Sequence, residues 1–151
     1  VGWGVVSGRQ EIMSDYIEAV NRILRARVCA NHPEQYAIPA ALDGPGDHIK
    51  NLVAELEKRR DIATQILDPI DGISMVKPKG AFYAFPSIEV DDDSKFCREL
   101  IKETGVVVVP GSGFGQRPGS NHFRFVILPS EDVLEKAFKR IGDFYEKYKN
   151  K

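Results

Sequence analysis

The chain is short of most features that would give its function away. Its charges nearly cancel, with 21 lysines and arginines against 22 aspartates and glutamates and a formal net charge of −1. A nucleic-acid or membrane-surface partner attracts a basic excess, so neither is expected. There are two cysteines, Cys29 and Cys97, and they stand in no metal or redox spacing. They read as small buried hydrophobes, and so few of them suit a reducing cytoplasm, which is the compartment expected. The three histidines, His32, His48 and His122, lie far apart and exclude the usual metal-ligand spacings. No apolar run approaches the roughly 18 residues a membrane helix needs, and no secretory leader is visible. What the 151 residues do have is 42% hydrophobic content, enough for a globular core.

The most informative stretch is Val106 to Leu128, VVVVPGSGFGQRPGSNHFRFVIL. A run of valines enters a glycine-rich loop, and the loop empties into a second apolar run, Phe123 to Leu128. Short bounded runs of β-branched and aromatic residues predict strands. Arg124 is the one charge in the second run. A buried arginine needs an anionic partner, so a protein carboxylate or a ligand anion is expected opposite it. A guanidinium grips a carboxylate through two parallel hydrogen bonds. Composition leaves a substrate carboxylate and a structural salt bridge both open.

Around this stretch the pattern is a mixture of helices and strands. Val1 to Val6 reads as a short buried strand, and Ile12, Met13, Tyr16, Ile17, Val20, Ile23 and Leu24 follow helical spacing to about Val28. Asn31 and Pro33 interrupt, a second helical piece covers 34–42, and Asp43-Gly44-Pro45-Gly46 breaks it. A long helix runs from Asp47 to the Asp68-Pro69 and Asp71-Gly72 stops. Its Arg59 and Arg60 fall on the apolar stripe and read as snorkelling or ion-paired side chains. Strands are expected at 73–76, 81–85 (stopped by Pro86), 106–109 and 123–128. Helices are expected after Asp91-Asp92-Asp93-Ser94, a solvated acidic cap, and after Ser130. Gly105 closes the first of these helices. Residues 73 to 149 thus form a β-turn-β-α-β-β-α unit of α/β (α+β) class, a small mixed or antiparallel sheet with helices on one face. Residues 1–46 look like the edge of something else, and the chain reads as a fragment.

Several motifs fail on inspection. Asp91 to Asp93 lacks the spaced oxygen ligands and glycine of a calcium loop. Gly111-Ser112-Gly113-Phe114-Gly115 lacks the lysine of a nucleotide P-loop. Ser112 has no histidine at a nucleophile spacing.

The ordered series Gly80-Ala81-Phe82-Tyr83-Ala84-Phe85-Pro86, Val108-Val109-Pro110-Gly111-Ser112-Gly113-Phe114-Gly115 and His122-Phe123-Arg124-Phe125 resembles the C-terminal part of class I, fold-type I aminotransferases, which use pyridoxal 5′-phosphate. Arg25 to Asn31 and Arg59-Arg60-Asp61 resemble the alanine and aspartate branch of that family. The resemblance implies residues 1–46 as the tail of the large cofactor-binding domain, 47–72 as a linking helix and 73–151 as the small domain. It implies that Arg124 holds the substrate α-carboxylate, with Tyr83, Phe82 and Gly113 also substrate-binding. The Gly111 to Gly115 loop would close near the substrate. It assigns Asn31 to the cofactor region, approaching the neighbouring subunit, and so implies a homodimer. The implied reaction moves an amino group between alanine or aspartate and a 2-oxo acid such as 2-oxoglutarate, with the cofactor ring as electron sink.

The same resemblance places the Schiff-base lysine in a Ser-x-x-Lys motif before Val1, so no catalytic residue is assigned within the chain. A non-catalytic carboxylate- or protein-binding module of this fold, or another fold-type I enzyme such as a lyase or decarboxylase, would share most of these motifs. The chain alone is expected to carry out no transamination. Incubation of the chain with pyridoxal phosphate, L-alanine and 2-oxoglutarate at neutral pH checks this: no pyruvate or glutamate should form.

Overall fold

In a computed structural model, residues 2–27 and 29–150 are described. They divide into two units, 1–48 and 49–151.

The first unit is helical. Helix α1 spans Gln10–Arg25, α2 His32–Gln35 and α3 Ala37–Asp43. Pro33 falls in the first turn of α2, where its missing N–H leaves no gap in the ladder. It therefore starts a helix instead of only breaking one. The expected strand at the front is not there. Gly2 to Val6 is irregular and exposed, and Val1 lies outside the described residues. Among the described residues this unit holds no strand with which Gly2 to Val6 could form a ladder. The periodicity of α1 is real, yet none of its residues is buried, and Ile12, Tyr16 and Ile23 stand exposed along it. The helix ends three residues before Val28, which is itself outside the described set.

The second unit holds the core. Helix α4, Asp47–Leu67, begins at the boundary between the units and buries Ala63 and Leu67 at its far end. Strand β1 is Ile73–Ser74, β2 Tyr83–Ala84 and β3 Ser87–Ile88. Helix α5 is Asp93–Thr104, β4 Val109–Pro110, β5 Phe123–Val126 and α6 Glu131–Lys149. Every pairing among them is antiparallel. The expected single sheet is two: β1 pairs with β3, and β5 lies between β2 and β4. A lone bridge between Ser87 and His122 joins them. Pro86 stops β2 as anticipated, but the chain re-enters a ladder at once as β3, which the sequence pattern does not announce. The valine run contributes less strand than its composition suggests. Only Val109 enters the ladder, followed by Pro110, whose lack of an N–H is tolerated on an edge strand.

Caps explain the helix limits. Asp92 is the N-cap of α5 and its side chain accepts from the Lys95 backbone N–H at 2.9 Å. Gly105 ends that helix in the left-handed conformation. The inner face of β5, Phe123 and Phe125, packs on Phe96 of α5 and Phe138 of α6, with ring centroids 6.0 and 4.8 Å apart. Phe96 also meets Phe144, Tyr145 and Tyr148, so one aromatic cluster ties α5, α6 and β5 together. Arg59, read as a snorkelling or paired side chain, donates to the Leu128 carbonyl at 2.8 Å and to Glu55 at 3.1 Å. Arg60 pairs with Asp61 at 2.8 Å.

Tyr145 is fully buried, and its hydroxyl lies 3.1 Å from the Glu89 carbonyl and 3.3 Å from that of Gly72. Gly72 has φ of 89°, and a Cβ there would stand 2.2 Å from the same hydroxyl. Backbone conformation and space both require glycine. Tyr145→Phe should cost about 1 kcal/mol, the net worth of one hydrogen bond. Gly72→Ala should cost more, because it adds a left-handed alanine, at roughly 1–2 kcal/mol, to the collision. Urea unfolding of the two variants should place them in that order.

Candidate functional site

Arg124 sits in the middle of β5, opposite Val109 of β4. The strand alternates, so Phe123 and Phe125 face the core while Arg124 and Val126 face outward. The arginine is half-buried, on the outer side of the sheet. This removes much of the burial cost that the sequence seemed to impose. Of the two partners expected opposite it, a protein carboxylate is not found among the described residues; two aromatic rings stand there instead. Its guanidinium carbon lies 4.0 Å from the Phe114 ring centroid and 4.7 Å from that of Tyr83. Among the described residues it has neither an ion pair nor a hydrogen bond. An aromatic face attracts the cation through its quadrupole and takes up none of its N–H donors. The donors stay available for a planar anion.

Two elements bring the rings there. Tyr83 pairs with Val126 across β2 and β5, which makes it the diagonal neighbour of Arg124 on the outer face. Two residues before it stands Ala81, whose φ of 58° is the one positive value at a non-glycine among the described residues. A left-handed alanine costs roughly 1–2 kcal/mol, so the surrounding turn enforces it. Phe82 packs its ring 4.5 Å from that of Tyr83. Its other side lines a separate cavity of about 220 Å³ with Val53, Leu56, Arg60 and Ile127. Phe82 therefore touches the site through Tyr83.

Phe114 arrives on a 3-10 turn, Gly111–Phe114, within the loop that the resemblance sets near the substrate. Gly111 is buried so tightly that a Cβ would meet the Gln116 Oε1 at 2.4 Å and the His122 Cβ at 2.6 Å. Gly113 is the opposite case: a Cβ there would meet nothing within 4 Å. Packing does not demand glycine at that position, and the space beside it is open.

Asp93 holds the turn. The acidic run before α5 reads from sequence as a solvated cap, and for Asp93 that is wrong: only 3% of its surface is exposed. Asp92 does the capping, and Asp93, one residue on, points to the loop. Its Oδ2 accepts from the Ser112 backbone N–H at 3.0 Å and from Gln116 Nε2 at 2.8 Å. Gln116 Oε1 in turn lies 3.0 Å from His122 Nδ1. The His122 ring stacks on Phe85 at 4.7 Å with planes 6° apart, and Phe85 meets Phe114 edge-on at 6.0 Å. Asp93, Gln116, His122 and Phe85 are site-building residues that the sequence reading passed over. An aspartate one position inside a helix, ahead of a loop rich in N–H donors, was the available signal. Asn31 lies in the other unit. It is exposed, and its side chain lies 3.4 Å from Arg27 and from Glu34. No group of three or more histidine, cysteine or acidic residues suited to a metal occurs among the described residues. Among the same residues no helix is long and apolar enough to cross a membrane.

With this geometry in view, comparison with known proteins is decisive. The sequence model of the family "Aminotransferase class I and II" matches residues 1–141. The chain belongs to the class I and II aminotransferase family. An alanine aminotransferase of Mycobacterium tuberculosis is 37% identical over 98% of the chain. A glutamate-pyruvate aminotransferase of Escherichia coli K12 is 34% identical over 97% of it. The chain spans 36% and 38% of the length of these two aminotransferases. Among solved structures, an alanine aminotransferase from Pyrococcus furiosus matches 89% of the chain and 35% of its own, with a TM-score of 0.81 and 42% identity. An Escherichia coli aminotransferase matches 94% of the chain and 37% of its own, at 0.82 and 32%. The small antiparallel sheets and their helices are therefore part of the α/β fold of fold-type I aminotransferases.

Burial alone would raise the Asp93 carboxyl, but the hydrogen bonds from Gln116 and Ser112 outweigh it and hold the group below its ordinary value. The stabilisation is therefore complete above the unfolded carboxylate range, at about 3.9, and is lost as pH falls through the lower folded value. The Ser112 amide resonance, followed by NMR from neutral pH downward, should titrate with a midpoint under about 3.9. A midpoint above that would contradict the anchoring.

Proposed function

We propose that this chain forms the carboxylate-gripping part of a pyridoxal-phosphate-dependent aminotransferase that uses L-alanine with 2-oxoglutarate as acceptor. The observation that carries the reading is Arg124: a half-buried guanidinium held by two rings, its N–H donors unengaged. The relatives' names, alanine aminotransferase and glutamate-pyruvate aminotransferase, support the choice of alanine over aspartate. In this reading Arg124 orients the substrate by its α-carboxylate, so that the bond to be cleaved is held in one direction. Tyr83 and Phe114 keep the guanidinium in place, and Phe82 supports Tyr83. Gly113 keeps the approach open, since a side chain there would project into the space beside the turn.

The reading implies pyridoxal phosphate as the cofactor. Asn31, the residue assigned to it by resemblance, is exposed and bonded within its own segment. Under the proposal Asn31 serves a homodimer by facing the neighbouring subunit, and the enzyme acts in the cytoplasm.

Arg124→Lys in the full-length enzyme tests the assignment. Lysine keeps the charge but loses the two-pronged grip. Substrate KM should rise on the order of 10- to 100-fold, matching the loss of one charge-assisted hydrogen bond. The absorbance of the bound cofactor should not change. An unaltered KM would remove Arg124 from the carboxylate role.

A further inference from the structure

We propose that Asp93 and Gln116 are positioning residues for the carboxylate grip, acting through His122, Phe85 and Phe114 on Arg124. The proposal rests on the reading of Arg124 given above. Neither residue touches the guanidinium, so any effect must be transmitted.

The transmission follows from which groups can donate. The Asp93 carboxylate can only accept, and its Oδ2 takes the Ser112 and Gln116 N–H groups. The amide of Gln116 is thereby oriented, because the opposite orientation would set its oxygen against the carboxylate. Its Oε1 must then face His122 Nδ1, as it does at 3.0 Å. That oxygen also only accepts, so Nδ1 carries a proton. The imidazole is held either as the Nδ1–H tautomer or as the cation, and never as the Nε2–H tautomer alone. A fixed imidazole fixes Phe85, stacked on it almost parallel. Phe85 meets the edge of Phe114, which covers Arg124. A second route is shorter: Asp93 holds the backbone of Ser112, two residues before Phe114. The space closed by Gly111, where even a Cβ collides with Gln116 and His122, leaves the loop little room to settle elsewhere.

A residue that merely stabilises the fold would not fix a tautomer or impose a pH profile, and both can be measured. The first variant is Gln116→Leu, which keeps bulk and removes both hydrogen bonds. In the full-length enzyme, KM for L-alanine should rise by up to about tenfold, the scale of one lost neutral hydrogen bond. The bound-cofactor spectrum should not change. In ¹⁵N spectra of labelled histidine, His122 should be protonated at Nδ1 in the unsubstituted protein and should gain the Nε2–H form in the variant. The second variant, Gln116→Glu, keeps the shape and sets two carboxylates about one hydrogen bond apart. Asp93 is faced from α5 by Cys97, from the turn by Ser112 and position 116, and from the residue just before β5 by His122. Like charges at that distance share one proton until pH rises, typically shifting one carboxyl up by a few units. KM should therefore climb between about pH 5 and 8 relative to the unsubstituted enzyme measured in parallel.

The outcomes separate the two ideas. If Arg124→Lys raises KM while both Gln116 variants leave KM and its pH profile unchanged, the transmission is wrong and the carboxylate grip stands. If Arg124→Lys changes nothing, the grip is wrong and the positioning role falls with it. An Nε2–H tautomer at His122 in the unsubstituted protein would overturn the proposed hydrogen-bond order directly.

Discussion

The site depends on a single buried charge. Asp93 is the one charged residue buried among the described positions. An unpaired carboxylate at such a place would cost several kcal/mol. The molecule meets that cost with N–H donors rather than with a cation. Because the donors belong to the turn at 111–116, satisfying the charge and placing the turn are the same event. A salt bridge would have neutralised the charge without this consequence, since a flexible lysine can reach a carboxylate from many directions. The backbone N–H of Ser112 cannot, and so the turn is specified.

The second constraint is the two-residue period of β5. Phe123 and Phe125 commit one face of the strand to the aromatic core around Phe96 and Phe138. Once they are buried, Arg124 must face outward. A slip of one residue would put the guanidinium into that core. The packing that stabilises the second unit thus also aims the Arg124 side chain, and the adjoining β2 then sets Tyr83 diagonally beside it. Fold and site are coupled through register more than through any contact between core and ligand.

Much of this was legible from the residues. Helix limits at Asp47, Leu67, Asp93, Gly105 and Glu131 follow from caps and breakers, which act locally. The outstanding arginine was legible too, because a charge in an apolar run is conspicuous. Less visible was anything that depended on pairing across the chain. The strand β3 exists because Ser74 and Ile73 lie opposite it, not because Ser87-Ile88 is a strong strand former. The front of the chain looked like a strand from its valines, yet no ladder partner is present in its unit. Asp93 was misjudged for the same reason. Its burial comes from a turn about twenty residues away in sequence, and local composition holds no record of that approach. The identities of the rings beside Arg124 were likewise known individually, but not that they would be its partners.

Those partners bear on why the arginine has no carboxylate of its own. Under the proposed role, an internal acid would have stabilised the cation and occupied the fork that a substrate carboxylate would use. Binding would then require displacing one anion by another, at little net gain. Aromatic faces provide about 0.5–1 kcal/mol each at partly exposed positions. That is enough to restrict a long side chain whose free rotamers are worth about 2 kcal/mol. It is well below what a charge-assisted bidentate pair supplies. Two rings therefore hold the guanidinium in position and leave its strongest interaction unused. Ordering the side chain before the ligand arrives lowers the entropy lost on binding. On this account the value of Phe114 lies in where it sits, and the buried carboxylate two steps behind it is what fixes that place.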